Sequence, residues 1–472
     1  MAMLLRKVWE SVSNRSNSNS NVILSESQLF QSSTGAFDKL PVDIFQQILK
    51  FLGPKDAAKA SMICKTWKFL VSDNRLWIYF LQNQKEPWET IVFAETNLRS
   101  GNTIWSYYNY ELHLSFMQIY GRRAQLSGSV IIDGGSGYCK YGWSKYSAPS
   151  GRSATFLEFG NIESPMYSRL RHFFATIHSR MQVKPSSQPI VVSIPLCHSD
   201  DTESAKASRR QLKDAIYSVL FDMNVPAVCA IDQAVLALYA ARRTSGIVVN
   251  IGFHMISVVP ILRGKIMRCS VGVETIGQGA LRLTGYLKEQ MQQRGINFES
   301  LYTVRSLKEN LCYVALDYEA ELAKDTRASF EVPGEGVFTF SKERFLTGEI
   351  LFQPQLGGMQ AMGLHQAVAL CMDHCLHAEV ATDDGWFKTV VLAGGTSCLP
   401  GLPERLEKEL RCYFPPVISD SIKVIPPPYG PDSAWFGAKL VANASTFRDN
   451  WCINKKQFRQ RSRRNSSFIG SW

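Results

Sequence analysis

The chain has 472 residues, 45% of them hydrophobic, with 52 basic against 41 acidic side chains and a formal charge of +11. That length exceeds one ordinary domain, and the apolar fraction suffices for a substantial core, so two or three packed units are expected. No run of eighteen or more apolar residues occurs, and the opening MAMLLRKVWE lacks an apolar stretch and small-residue cleavage site of the signal-peptide kind, which excludes a helical membrane span and points to an intracellular address. The eleven cysteines, scattered from Cys64 to Cys452 without paired spacing, suit reduced thiols rather than a disulfide framework.

In chain order, residues 1–36 read as a disordered leader, because SVSNRSNSNSN at 11–21 is too polar to bury a core. Residues 37–82 read as three short helices. Leu40, Ile44, Ile48 and Leu52 fall at helical spacing, Pro41 suits a first-turn position, and Gly53-Pro54 stops the helix. Asp56 opens a second helix whose apolar stripe runs Ala57, Ala60, Ile63, Trp67; Ser72-Asp73 caps a third turn bearing Leu76, Trp77 and Phe80. A unit of about 45 residues has little core of its own, so burial against a partner is expected.

This segment, FDKLPVDIFQQILKFLGPKDAAKASMICKTWKFLVSDNRLWIYFL, resembles the F-box along its whole length. The resemblance implies docking onto a Skp-type adaptor and, through it, a cullin ubiquitin ligase, with Leu40, Pro41, Ile44 and Ile48 entering the interface and Trp67 and Trp77 holding the motif together.

Residues 83–126 are aromatic and mixed, read as a helical connector, and show no chemistry. From 127 to 460 the pattern changes to apolar strands broken by glycine: SVIIDGGSGYCKYGW, VVSIP near 191, and GIVVNIG near 246 after DQAVLALYAARR, read as an amphipathic helix. Alternating strands and helices indicate an α/β architecture. The loop DGGSG at 133–137 suits phosphate, since residues without Cβ let backbone amides approach an anion and Ser136 adds a hydroxyl. Lys140, a second strand-turn at 246–252 and a glycine pair in LAGGTSCLPG at 392–401 accompany it.

Their order and spacing resemble the actin/Hsp70/sugar-kinase superfamily. SLKENLCYVALDYE, RFLTGEILFQPQLGGM and AWFGAKLVANASTFRDNWCINKKQF are specifically actin-like, and an F-box joined to such a domain resembles a group of plant actin-related proteins. The resemblance implies an actin-like α/β domain preceded by a small all-α F-box, with ATP or ADP and Mg²⁺ as candidate ligands. It assigns Asp133, Gly135, Ser136, Gly137 and Lys140 to the first phosphate loop, with the carboxylate serving the metal's water shell and the lysine the terminal phosphates. Gln233 matches the glutamine that helps place the attacking water; Arg305, Lys308 and Glu309 fall at the nucleoside, and Gly394 with Gly395 opens the adenine pocket.

The second phosphate loop departs from the family. Where actins carry Asp-x-Gly-Asp-Gly, this chain has Asn250, Ile251, Gly252, Phe253 and His254; Ser257 replaces a histidine and Pro431 a lysine beside the adenine. Each lost positioning group typically contributes about 10²-fold or more in rate, so hydrolysis is not expected and no catalytic residue or protein metal site is assigned. The interval from Lys140 to Val191 is also much shorter than in actins and omits most of the cleft-capping subdomain, against filament formation.

Three lesser signals remain. Cys371, His374, Cys375 and His377 lie in an apolar helix and read as core. Gly277-x-Gly279 reads as a loop, and Lys308 with Glu309 could equally be a surface charge pair. Lys455, Lys456, Arg459, Arg461, Arg463 and Arg464 make the end of the chain, including a tail at 461–472, strongly basic. That pattern fits a nuclear import signal, a contact with nucleic-acid phosphate or a solvated tail, and gives nuclear or nucleolar residence with a cytoplasmic pool as the expectation. The combined expectation is a non-enzymatic ligase adaptor with an unknown protein client on the actin-like domain; the second reading is a nuclear structural component of a chromatin or nucleolar complex without ligase activity.

Overall fold

A computed structural model describes residues 40–98, 115–155, 163–195, 203–267, 274–276, 279–377 and 385–461. The serine- and asparagine-rich leader, Arg463 and Arg464 of the basic tail, Gly277 and the centre of the connector lie outside the described residues. Among these, the chain forms two compact units: 40–88 with 115–122, and 89–98 with 123–461. No helix of the described residues is long and apolar enough to cross a membrane.

The smaller unit is all helical. A helix spans Val42–Ala60 but is broken at Gly53, whose backbone (φ 78°, ψ 170°) is open to glycine at little cost, and Pro54 restarts it. The helix starts after Pro41, which stands at the cap and not in the first turn. The expected stripe from Ala57 to Trp67 is not one helix: residues 61–63 turn, Cys64 is extended (φ −155°), and its Sγ accepts the Trp67 amide at 3.4 Å to cap a new helix, Lys65–Val71. A thiol at this position is a weak cap that the spacing of apolar residues does not reveal. Asp73 caps the next helix, Asn74–Gln82, as its side chain accepts the Arg75 amide at 2.9 Å.

Phe45, Leu49, Ala57, Val71, Leu76, Trp77 and Phe80 close a small core, against which Phe116, Met117 and Tyr120 pack. Trp77 is buried and its Nε1 donates to the Val71 carbonyl at 2.6 Å, while half-buried Trp67 meets Phe45 edge-on at 4.7 Å. Both tryptophans therefore hold the unit together, the second by a hydrogen bond that satisfies its buried indole.

The larger unit contains two sheets. In the first, β1 (Val130–Gly134), β2 (Cys139–Trp143), β3 (Gly151–Ser153), β4 (Ile190–Ile194) and β5 (Val228–Asp232) are ordered β3-β2-β1-β4-β5, with β1, β4 and β5 parallel and the β1–β2–β3 meander antiparallel. In the second, β6 (Gly246–Ile251), β7 (Ile256–Leu262), β8 (Lys265–Ile266) and β9 (Glu274–Ile276) join two later strands. A separate hairpin pairs β10 (Ala328–Val332) with β11 (Gly336–Phe340). β12 (Thr389–Ala393) and β13 (Lys423–Ile425) complete the second sheet in the order β13-β12-β6-β7-β8, with β9 on β7 and with β12 parallel to both β6 and β13.

The strands that run parallel are continuous in Val, Ile and Leu because both faces are covered. The helix Gln233–Ala240 is not amphipathic: Val235 to Ala240 are all buried. It shares one core with the helix Ser433–Asn443, with Ile131, Val191 and Ile231 of the first sheet and with Val248, Val259 and Val391 of the second. A helix covered on every side has no polar face to show. Two sheets sharing one layer of helices fit the α/β architecture that the resemblance implies.

The helix Leu364–His377 buries Cys371 and Cys375, leaves His374 half-buried and His377 exposed, and no cluster of metal-binding side chains occurs among the described residues.

Candidate functional site

The carboxyl ends of β1, β6 and β12 lead into the loops 133–138, 251–255 and 394–398, and these surround one cleft of about 330 Å³. Open α/β sheets present ligand sites at the carboxyl ends of their strands, and ligand clefts run from about 300 to 1,000 Å³. Asp133, Gly135, Ser136, Gly137, Lys140, Gln233, Arg305, Lys308, Glu309, Gly394 and Gly395 all line this cleft, so the fold brings together side chains more than 250 positions apart.

Asp133 is buried at the end of β1. Its Oδ1 accepts from Ser193 Oγ at 2.5 Å and from Gln233 Nε2 at 2.8 Å, and its Oδ2 lies 3.6 Å from Lys140 Nζ. Ser193 Oγ in turn accepts the Gly134 amide at 2.9 Å, which fixes the start of the loop. Asn250 Nδ2 donates to Gln233 Oε1 at 3.3 Å, so both ends of the glutamine amide are engaged and one polar chain crosses from the first sheet to the second. Lys140 is buried, 3.2 Å from Asp432, and donates to the Pro431 carbonyl.

The second loop occupies part of the first. A Cβ on Gly137 would stand 2.8 Å from the Phe253 ring, and the Phe253 amide donates to Ser136 Oγ at 3.3 Å. The bareness of Gly137 thus makes room for Phe253 and not only for an anion, and one of the first loop's hydroxyls is already in use. This is the physical cost of having phenylalanine where the family has aspartate.

Lys308 and Glu309 are not a charge pair. Glu309 bonds Arg305 at 2.8 Å, whereas Lys308 is buried on the helix Leu301–Leu311 and donates to Thr284 Oγ1 at 3.0 Å and the Ala280 carbonyl at 3.2 Å. Burial pushes its ammonium down to about 8, with the Glu309 charge opposing that shift. Lowering of a lysine below its unfolded value means that the charged form weakens the fold. That loss is fully present below pH 8 and is regained as pH rises toward the unfolded value near 10.4. Lys308→Met is accordingly expected to raise the unfolding free energy at pH 7 by roughly 1–3 kcal/mol, and the denaturation midpoint with it, with the gain shrinking as the pH is taken to 10. Equal midpoints for the two chains at pH 7 would contradict it.

Sequence reasoning missed Ser193, Tyr138, Arg152, Asp432 and Thr284. Ser193 had a signal, a polar residue inside the apolar run VVSIP. Arg152 had none, because its position depends on the register of β3 on β2. As for Mg²⁺, this cleft offers one loop carboxylate, already engaged by Ser193, Gln233 and Lys140, and a neutral Asn250 in place of a second; these residues do not fit a divalent ion held as in actins.

Residues 37–83 match the F-box-like family model, and residues 170–306 and 296–464 match the Actin family model. The chain is 66% identical over 469 residues to Actin-related protein 8 of Arabidopsis thaliana, covering 98% of this chain and 99% of that one. It is 63% identical over 489 residues to Actin-related protein 8 of Oryza sativa subsp. indica, covering both in full, and 27% identical over 380 residues to Actin-like protein 7B of Homo sapiens, covering 72% of this chain and 88% of that protein.

Proposed function

Because the chain belongs to the actin family and carries an F-box-like segment ahead of its actin-like part, we propose that it is an adaptor that docks on a Skp-type protein of a cullin ubiquitin ligase and presents a protein client through the actin-like domain. The observation that carries this reading is the apolar surface of the smaller unit. Ile44 (50% exposed), Phe51 (92%), Met62 (79%), Ile63 (64%) and Phe69 (66%) stand in water with Pro41, beside half-buried Leu40 and Ile48. So many large exposed side chains on a unit with a small core mark it for docking. Phe51, Met62, Ile63 and Phe69 are exposed in addition to the adaptor-binding candidates Leu40, Pro41, Ile44 and Ile48. Titration of a purified Skp-type adaptor onto the full chain tests the reading, and no complex at micromolar concentration would overturn it.

The actin-like cleft acts as a nucleotide site without turnover. Asn250 lacks a charge and is tied to Gln233, and Phe253 fills space beside Ser136 and Gly137, so neither loop is arranged to activate water. The short interval from Lys140 to Val191 also argues against an actin-type filament.

The basic carboxyl end directs the chain to the nucleus. Deleting it is a poor test, since Phe458 packs against Tyr217 and Phe221 at 5.5 and 5.6 Å, and Lys455 donates to the Phe221 carbonyl. Replacing Arg459, Arg461, Arg463 and Arg464 with glutamine spares those contacts. A tagged chain so altered is expected to shift from nucleus to cytoplasm under the microscope, and an unchanged distribution would remove the tail from the account.

A further inference from the structure

The cleft is lined by more cationic side chains than carboxylates. Lys140, Arg152, Arg305 and Lys308 line it against Asp133 and Glu309. Three of these cations surround a single ring: Arg152 lies 5.0 Å, Arg305 5.5 Å and Lys140 5.8 Å from the centroid of Tyr138. Lys140 and Arg152 are directly opposite each other across the antiparallel β2–β3 pair, which brings two cations to one edge of the cleft.

The four are not equally free. Arg305 is paired with Glu309, Lys140 is shared between Asp133 and Asp432, and Lys308 is bound to Thr284 and Ala280. Arg152 is exposed at the lip and has no acidic partner among the described residues. Its guanidinium is a planar fork matched to phosphate oxygens, and Tyr138 beneath holds it without neutralising it.

A magnesium ion in a nucleotide site is held by one or two carboxylates plus the phosphates themselves. Here the single loop carboxylate is engaged three times over, and the ion's double charge would be added to a wall that is already basic. We propose that the cleft binds its nucleoside polyphosphate without a divalent ion, and that Arg152, with Lys140 opposite it, supplies the charge that Mg²⁺ supplies in other actins. This rests on the cleft being a nucleotide site.

The test is thermal melting and titration calorimetry of the full chain with millimolar ADP, once in EDTA and once in excess Mg²⁺. The expected result is a rise in melting temperature in EDTA at least equal to that in Mg²⁺. Arg152→Ala, exposed and therefore expected to melt like the parent when no nucleotide is present, should weaken ADP in EDTA by about tenfold or more, with Arg152→Lys recovering part of the loss. A rise confined to Mg²⁺, or full affinity in Arg152→Ala, would overturn the inference and leave the nucleotide site standing. No rise under either condition would overturn the nucleotide site itself, and the inference with it.

Discussion

A chain carrying Ile44→Asp and Phe51→Asp is expected to bind a purified Skp-type adaptor about 100-fold more weakly than the parent, while its own unfolding free energy changes by no more than about 0.5 kcal/mol. The two residues are seven apart on the helix Val42–Ala60, which places them on one side with Ile48 between them. Neither contributes to the unit's core, formed by Phe45, Leu49 and Trp77 on the other side. A carboxylate there is harmless in water. In a closed interface it becomes a buried charge without a partner, and truncating a central apolar anchor commonly costs about 2–4 kcal/mol even before that penalty. Calorimetric titration reads the loss, and unaltered affinity would show that this face is not what the adaptor contacts.

Glu95→Ala is expected to lower the denaturation free energy of the larger unit by about 3–5 kcal/mol. The carboxylate is almost wholly buried, accepts from Ser445 Oγ at 2.5 Å and the Ser445 amide at 2.8 Å, and pairs with Arg123 at 3.0 Å. Removal leaves the guanidinium buried with the Asn443 carbonyl as a remaining acceptor and strips the Ser445 amide of its partner. Burying a charge without its counter-ion is what makes the loss large; the same pair replaced by Glu95→Leu and Arg123→Met together should lose much less. Denaturant unfolding of the three chains checks both statements, and equal loss in the single and double variants would refute the argument.

Why Glu95 went unread while Leu40 and Ile44 did not is a matter of range. The F-box-like helices are local: apolar residues three and four apart, a proline at the start and a glycine break carry most of the shape, while the thiol cap at Cys64 escaped, because a weak cap leaves little trace in composition, and Pro54 rather than Asp56 restarts the helix after Gly53. The strands β1, β4 and β6 were legible for the same reason, since they are short apolar runs bounded by glycine, proline or polar residues, whereas β12 was read only as the glycine pair that follows it. Glu95 lies in a stretch without an obvious chemical pattern, and its partners are 28 and 350 positions away.

The cleft sits between these extremes. Its loops announced themselves by glycine, and every residue placed there by resemblance lines it. Their mutual state was not legible: that Gln233 is held at both ends, that Phe253 lies against Gly137, and that Lys308 is paired with a hydroxyl and a carbonyl depend on two sheets meeting. Arg152 is the extreme case, a residue in an unremarkable GRS tripeptide that strand register sets opposite Lys140.

The most direct test of the adaptor reading is recovery of the tagged full chain from cells in which it is expressed, alongside a Leu40→Ala, Pro41→Ala double variant, followed by probing for the Skp-type adaptor and the cullin. Both proteins are expected with the parent chain and neither with the variant. Recovery of neither with either chain, from extracts in which another F-box protein does retrieve them, would contradict it.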